Sequence, residues 1–179
     1  MLFRSTTSGV RRNPLNAYEP ENLFDVSIQL NGKLCSARVP ARRLLSDFLR
    51  HDLDATGTHV GCEHGVCGAC TILLDGKPVR SCLIFAVSVN GQEITTVEGL
   101  TKSDGTMGVV QKAFHESHGL QCGFCTPGFL TTIHAYLLEH PNPTAEEARE
   151  AIAGNLCRCT GYQNIIKSVL RAAEMLKNS

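Results

Sequence analysis

The chain has 179 residues, of which 42% are apolar and nine are cysteine, and its formal net charge is zero. This neutral balance excludes the basic surface of a protein that binds nucleic acid or an anionic membrane, and no stretch approaches the ~20 apolar residues of a membrane span. The length fits one or two small domains that bury about two thirds of their unfolded surface, so a core forms without covalent cross-links.

Residues 1–22 are predicted to form a polar N-terminal extension. Arg11 and Arg12 match the start of a twin-arginine export signal, but proline, asparagine and acidic residues follow where an apolar segment should stand. We therefore expect a cytoplasmic protein. In that compartment nine cysteines indicate metal or redox chemistry rather than disulfides.

A β-hairpin and a helix are predicted next. The segment FDVSIQLNGKLCSARVP alternates apolar and polar residues, with Asn31-Gly32 as a two-residue turn and Leu34 and Val39 continuing the pattern. Apolar residues at helical spacing in ARRLLSDFLRHDL predict a short helix. Cys35 falls within the hairpin and is predicted to be a small buried apolar residue.

A first cysteine group follows in GCEHGVCGACTILLDGKPVRSC and consists of Cys62, Cys67, Cys70 and Cys82. The glycines allow backbone amides to turn inward, which suits a negatively charged ligand. The DG dipeptide predicts a hairpin that returns Cys82 to within one residue of Cys70. C-x4-C-x2-C with a distant fourth cysteine is the spacing of a plant-type [2Fe-2S] cluster, whereas zinc sites usually carry two short C-x2-C-like pairs.

The remainder of the chain changes to a helical pattern. Four helices are predicted, in TMGVVQKAFHESHG, PGFLTTIHAYLLEH, AEEAREAIA and roughly Gln163 to Lys177. Gly119 is expected to end the first helix and Thr126 to cap the second. Thr144 and Glu147 match a capping box before the third.

A second cysteine group lies in the connections between these helices. Helices joined by short loops run alternately up and down, so the loops at 119–126 and 154–161 reach the same end. The group consists of Cys122, Cys125, Cys157 and Cys159. Four thiolates suit zinc as well as an iron-sulfur cluster, although the start of the second helix favours an anionic cluster. The residues alone leave both metals open.

Three motifs carry a family resemblance: GCEHGVCGAC, QCGFCTPGF and GNLCRCTGY. In this order and at these distances they closely resemble the iron-sulfur subunit of the molybdenum hydroxylases, the family of xanthine dehydrogenase and aerobic carbon monoxide dehydrogenase. The resemblance covers about Leu23 to Leu176. It implies an α+β fold in which a plant-type ferredoxin domain of the β-grasp type, residues 23–100, precedes a four-helix domain, residues 101–179, each with one [2Fe-2S] cluster.

The resemblance also implies roles for individual residues. The first cysteine group would bind the cluster on the flavin side, and the second group the cluster on the molybdenum side. Gln121 matches a glutamine that hydrogen-bonds the pterin of the molybdenum cofactor, and Cys159 matches the ligand closest to that pterin. A glutamine offers donors and an acceptor, which suits a polar heterocycle. The alternative is a loop glutamine that bonds its own backbone.

In this family, electrons pass from a molybdenum cofactor on a large subunit through the two clusters to FAD on a medium subunit. The resemblance therefore implies an electron-transfer subunit of an oxidoreductase, in a heterotrimer or a dimer of heterotrimers, with the substrate on another subunit. Two other functions stay open. A freestanding two-cluster carrier would be a monomer with a polar surface, and a zinc-stabilised binding module would be colourless and would unfold with chelators.

Overall fold

The protein is described from a computed structural model, in which residues 22–178 are defined. The extension predicted for residues 1–22 lies outside this range except for Asn22. Within this range all strands lie in residues 23–95 and the four longer helices lie in residues 109–177, so a sheet half precedes a helical half. The combination is an α+β fold, as the sequence predicts.

The sheet half contains a mixed five-stranded sheet in the order β2-β1-β5-β3-β4. Its strands are β1 (Leu23–Leu30), β2 (Lys33–Pro40), β3 (Thr71–Leu74), β4 (Lys77–Arg80) and β5 (Glu93–Thr95). Strands β1 and β5 are parallel, and the other neighbours are antiparallel. Both predicted two-residue turns are confirmed: Asn31-Gly32 and Asp75-Gly76 have positive φ at every position, as a type I′ turn requires.

Strand β2 differs from the prediction in which residues face the core. Val39 is fully buried, but Leu34 is 71% exposed. Side chains alternate along a strand, so Cys35 and Ala37 share the inner face with Val39 while Leu34 points outward. Cys35 is half-buried and packs against the sheet core. The prediction of an inward apolar residue is therefore right in direction, but Cys35 is not fully buried.

The first helix is shorter than predicted. Helix α1 (Leu45–Asp47) continues into a π-helical turn, Phe48–Asp52, and its apolar side chains close the sheet core. The residues before Leu45 are not helical, because Leu44 is extended and forms an isolated bridge with Phe85. This bridge ties the helix start to the segment that follows the first cysteine group.

The helical half packs around one apolar core that includes Phe114, Phe129, Ile133 and Ile165. Its helices are α2 (Val109–Glu116), α3 (Thr126–Glu139), α4 (Ala145–Ala151) and α5 (Gln163–Lys177). Helix α5 packs on α2 and α4, while α3 contacts α2, α4 and strand β3. Helix α3 therefore connects the two halves. Across residues 22–178, no helix has the length and apolar character needed to cross a membrane.

The observed helix ends differ from the prediction at two positions and agree with it at one. The N-cap of α3 is Cys125, and Thr126 is the first helical residue. The buried hydroxyl of Thr126 has no hydrogen-bond partner within residues 22–178, so it does not cap the helix. Helix α2 ends at Glu116, before Gly119, and the left-handed residue beyond it is His118. The capping box before α4 is confirmed.

Candidate metal centres

The first cysteine group is assembled as the hairpin prediction requires. Strands β3 and β4 pair so that Ser81 N–H and its hydroxyl both donate to the carbonyl of Cys70, at 3.3 and 2.8 Å. Cys82 follows directly, and its thiol is hydrogen-bonded to that of Cys70. Cys70 and Cys82 are buried, whereas Cys62 and Cys67 are half-buried. One side of this group is therefore enclosed by the protein, and the other is partly open to solvent.

Backbone amides in the loop point at these sulfurs. The N–H of Cys67 lies 3.4 Å from Cys62 Sγ, and the N–H of Gly65 points at Cys82. Glu63, Gly65 and Gly68 all have positive φ, which turns the peptide planes inward. The N–H of Cys67 is the main cause that lowers the pKa of the Cys62 thiol to about 6, while burial raises the pKa of Cys82 to about 11. Coordination to a metal ion is what would keep Cys82 ionised.

The second cysteine group is brought together by the loops before α3 and α5. Cys122 Sγ and Cys159 Sγ are 3.5 Å apart, and the Cys125 thiol hydrogen-bonds that of Cys157. Cys122 and Cys159 are exposed, whereas Cys125 and Cys157 are half-buried. The predicted meeting of the two loops at one end is thus observed. Across residues 22–178, no three His, Cys, Asp or Glu side chains are arranged to hold a single metal ion.

Hydrogen bonds and burial act in opposite directions on these thiols. The N–H of Phe124 is the main cause that lowers the pKa of Cys122, while burial raises the pKa of Cys125 to about 12. Burial opposes ionisation of Cys157, but hydrogen bonds from Thr160 and from the Cys159 N–H leave its pKa below the ordinary value. Cys125 also stands at the N-terminus of α3, where the helix dipole favours negative charge.

Two residues of this site were not predicted from the sequence. The Thr160 hydroxyl donates to Cys157 Sγ at 3.1 Å, and the Tyr162 hydroxyl accepts from the Cys157 N–H at 2.9 Å. Both lie in GNLCRCTGY, and their closeness to the C-x-C pair in the sequence could have indicated that they contact its cysteines. Tyr162 also has a positive φ of 66° and packs edge-on against Phe129, which fixes the loop to the helical core.

The two cysteine groups contact each other directly. The N–H of Leu156 donates to the Cys67 carbonyl at 2.9 Å. His59 Nδ1 lies 2.8 Å from the carbonyl oxygen of Phe124, and the two rings stack with centroids 5.1 Å apart. Leu156, which is adjacent to a cysteine of the second group, is therefore hydrogen-bonded to the backbone of a cysteine in the first group.

Gln121 and two other polar residues, His64 and Arg158, lie at the edges of the sites. Gln121 is exposed beside Cys122, on the surface that also exposes Cys159. His64 is exposed within the loop, and its ring hydrogen-bonds the Cys62 carbonyl rather than a thiol. Arg158 is also exposed.

Comparison with known proteins gives two matching family models. One, described as a 2Fe-2S iron-sulfur cluster binding domain, matches residues 28–101. The other, described as a [2Fe-2S] binding domain, matches residues 96–170. Together they cover both cysteine groups, with one domain for each group.

Relatives match along most of the chain. It is 56% identical to caffeine dehydrogenase subunit gamma of Pseudomonas sp. (strain CBB1), over 86% of this chain and 95% of the relative. It is 50% identical to the nicotine 6-hydroxylase small subunit of Paenarthrobacter nicotinovorans, over 89% and 95%. Among solved structures, quinoline 2-oxidoreductase from Pseudomonas putida 86 matches with a TM-score of 0.83 and 46% identity, over 88% of this chain and 98% of that one. With two [2Fe-2S] domains and relatives of this kind, the chain belongs to the family of iron-sulfur subunits of the molybdenum hydroxylases.

Proposed function

We propose that this protein relays electrons through two [2Fe-2S] clusters, from a molybdenum cofactor on a large subunit to FAD on a medium subunit. The first cysteine group would hold the flavin-side cluster in a β-grasp domain, residues 23–100, and the second the molybdenum-side cluster in a four-helix domain, residues 101–179. A bound [2Fe-2S] cluster accepts and releases one electron at a time. The observation that carries the proposal is the meeting of eight cysteines as two separate sets of four.

The arrangement within each set supports a binuclear cluster. The thiols associate in pairs, Cys122 with Cys159 and Cys125 with Cys157, and each iron of a [2Fe-2S] cluster takes two cysteine ligands. Cys70 and Cys82 form a similar pair. N–H and O–H groups aimed at the sulfurs stabilise the negative charge that such a cluster carries.

A short connection between the sites supports transfer from one to the other. Cys67 and Cys157 are candidate ligands of different clusters. The Cys67 carbonyl accepts from the N–H of Leu156, the residue that precedes Cys157. A single hydrogen bond therefore joins two covalent segments into one continuous route between the sites.

The surface near each site supports partners on both sides. Cys122 and Cys159 are exposed next to Gln121, and this is the face we assign to the pterin of the molybdenum cofactor. Large apolar side chains are exposed around both cysteine groups: Val66, Leu83 and Phe85 near the first, and Leu120, Phe124 and Leu156 near the second. Exposed apolar groups of this kind mark contact surfaces. We propose a complex with a large and a medium subunit, as a heterotrimer or its dimer, in the cytoplasm.

The decisive experiment measures iron and acid-labile sulfide per chain, together with EPR spectra of the anaerobically reduced protein over a temperature series. We expect about four irons and four sulfides per chain and two distinguishable reduced signals. One signal with half the iron would restrict the clusters to a single cysteine group and reopen zinc for the other. Zinc without iron would contradict the electron-transfer function and favour a binding module.

Copurification separates the relay from a freestanding carrier. The relay predicts that the chain isolates with a large and a medium subunit, and that removing them exposes the apolar side chains around both cysteine groups. A freestanding carrier predicts a monomer that holds both clusters and reduces a soluble acceptor without partners.

Replacing Thr160 with valine is expected to lower the reduction potential of the second-group cluster. The lost hydroxyl donates to Cys157 Sγ at 3.1 Å, and hydrogen bonds to ligand sulfur favour the more negative reduced state. The reduction potential should fall by up to about 59 mV, which for a one-electron couple lowers the ratio of reduced to oxidised cluster about tenfold at fixed potential. A redox titration followed by EPR measures it.

Thr160→Ser is the matched control, because it keeps the hydroxyl and removes only a methyl group. Its potential should stay close to that of the unmodified protein, and both variants should keep their full iron content. Equal potentials in the valine and serine variants would show that this hydrogen bond does not tune the cluster.

A further inference from the structure

We propose that Asn155 is a positioning residue that sets the separation of the two clusters, an inference that rests on the function proposed above. Asn155 precedes Cys157 by two residues and is only 1% exposed. Buried amides are almost always hydrogen-bonded, and this one bonds in two directions. Its nitrogen donates to the Gly68 carbonyl at 3.1 Å, and its oxygen accepts from the Thr132 hydroxyl at 3.1 Å. One side chain therefore joins both cysteine loops to helix α3.

The amide acts together with the backbone of the next residue. Leu156 N–H donates to the Cys67 carbonyl at 2.9 Å, while Asn155 donates to the carbonyl of Gly68. Two consecutive carbonyls of one loop thus accept from two consecutive residues of the other. Such a double attachment fixes the distance between the loops and also their relative rotation, which a single bond would leave free.

Close packing surrounds the amide. A Cβ on Gly68 would lie 2.6 Å from the Gly154 carbonyl oxygen and 2.7 Å from Asn155 Nδ2. A Cβ on Gly128, in α3, would overlap the carbonyl oxygen of Gly68. Only backbone without side chains allows this approach. The Asn155 amide is consequently enclosed by both loops and by α3, so its loss alters the contact between them.

A second bridge between the halves is weaker. Arg80 donates to the Gly154 carbonyl at 2.5 Å and to the Thr71 hydroxyl, but its bond to Gly154 is exposed to solvent. Water replaces an exposed hydrogen bond with little loss of free energy, whereas a buried group that loses its partner bears the full desolvation penalty. Asn155 is therefore the residue that we expect to hold the loops in register.

The test is the spin–spin interaction between the two reduced clusters in the full chain, measured as splitting of the low-temperature EPR signals. Asn155→Leu removes both side-chain hydrogen bonds at similar volume. We expect it to retain its full iron content and to lose most of the splitting. Thr132→Val is the matched control: it removes only the bond that Asn155 accepts, and it should leave the splitting unchanged.

The EPR splitting and the iron content of the Asn155 variants together decide whether Asn155 positions the clusters. Lower thermal stability with unchanged splitting in Asn155→Leu would show that the residue only stabilises the fold, and would overturn the proposal. If this variant fails to hold both clusters, Asn155→Asp takes its place, because it keeps the shape and the Thr132 bond and should also lose splitting. Cluster loss in both variants would overturn the proposal as well, since Asn155 would then be needed to form a cluster. An unmodified protein without two reducible clusters would instead contradict the proposed function.

Discussion

Replacing Cys125 with alanine is expected to halve the iron content, from about four to about two atoms per chain, and to remove one of two reduced EPR signals. Cys125 is half-buried at the N-cap of α3, and its thiol pairs with that of Cys157. Alanine supplies no donor atom, so one iron of the second-group cluster would keep a single cysteine ligand. Iron and sulfide analysis with EPR measures the loss.

The first-group cluster should survive this change. Its four cysteines come from the sheet half, and their loop is positioned by the β3–β4 hairpin rather than by the start of α3. The reciprocal variant Cys70→Ala should therefore remove the other EPR signal and leave the second-group cluster in place. Loss of both signals in either variant would show that the two sites assemble together.

Cys35→Ala is the matched control for the cysteine substitutions. Cys35 is half-buried like Cys125, but it packs against the core of the sheet half through strand β2. The same loss of a thiol there should leave iron and sulfide unchanged. A full iron content in Cys125→Ala, or iron loss in Cys35→Ala equal to that in Cys125→Ala, would contradict the ligand assignment.

Features with short-range signals could be predicted from the sequence. The turns at Asn31-Gly32 and Asp75-Gly76 are specified by residues that tolerate positive φ, and the second of them accounts for the return of Cys82 to Cys70. Leu34 was misplaced because it is apolar but has the wrong parity for the inner face of β2. Alternation decides which side of a strand faces the core, and hydrophobicity alone does not.

Contacts between the halves could not be predicted in the same way. Asn155 and Gly68 are 87 positions apart, and Arg80 and Gly154 are 74 apart. Local periodicity and capping patterns carry no information about such pairs. The start of α3 shows a related limit. The pattern Thr126-Pro127 matches a capped helix start, but the cap lies one residue earlier because Cys125 is held in the metal-site loop.

Replacing Gly68 with alanine is expected to destabilise the contact between the two halves more than any other glycine-to-alanine change in the first cysteine loop. Gly68 has a φ of +76°, and its added Cβ would meet the Gly154 carbonyl oxygen at 2.6 Å and Asn155 Nδ2 at 2.7 Å. The strain of a left-handed backbone and the forced separation of the two loops should together lower the free energy of unfolding by about 3 kcal/mol. For a protein of this size the melting temperature should fall by about 6 to 12 °C. Calorimetry on chains of equal iron content measures the change.

Gly76→Ala separates the two causes, because Gly76 has a nearly identical φ of +79° but nothing within 4 Å of its added Cβ. Because only backbone strain is added, the free energy of unfolding should fall by about 1 kcal/mol and the melting temperature by about 2 to 4 °C. Equal losses in the two variants would mean that the contact at Gly68 yields without cost. A larger loss in Gly68→Ala, with weaker spin–spin splitting as in Asn155→Leu, would tie the stability of this contact to the separation of the clusters.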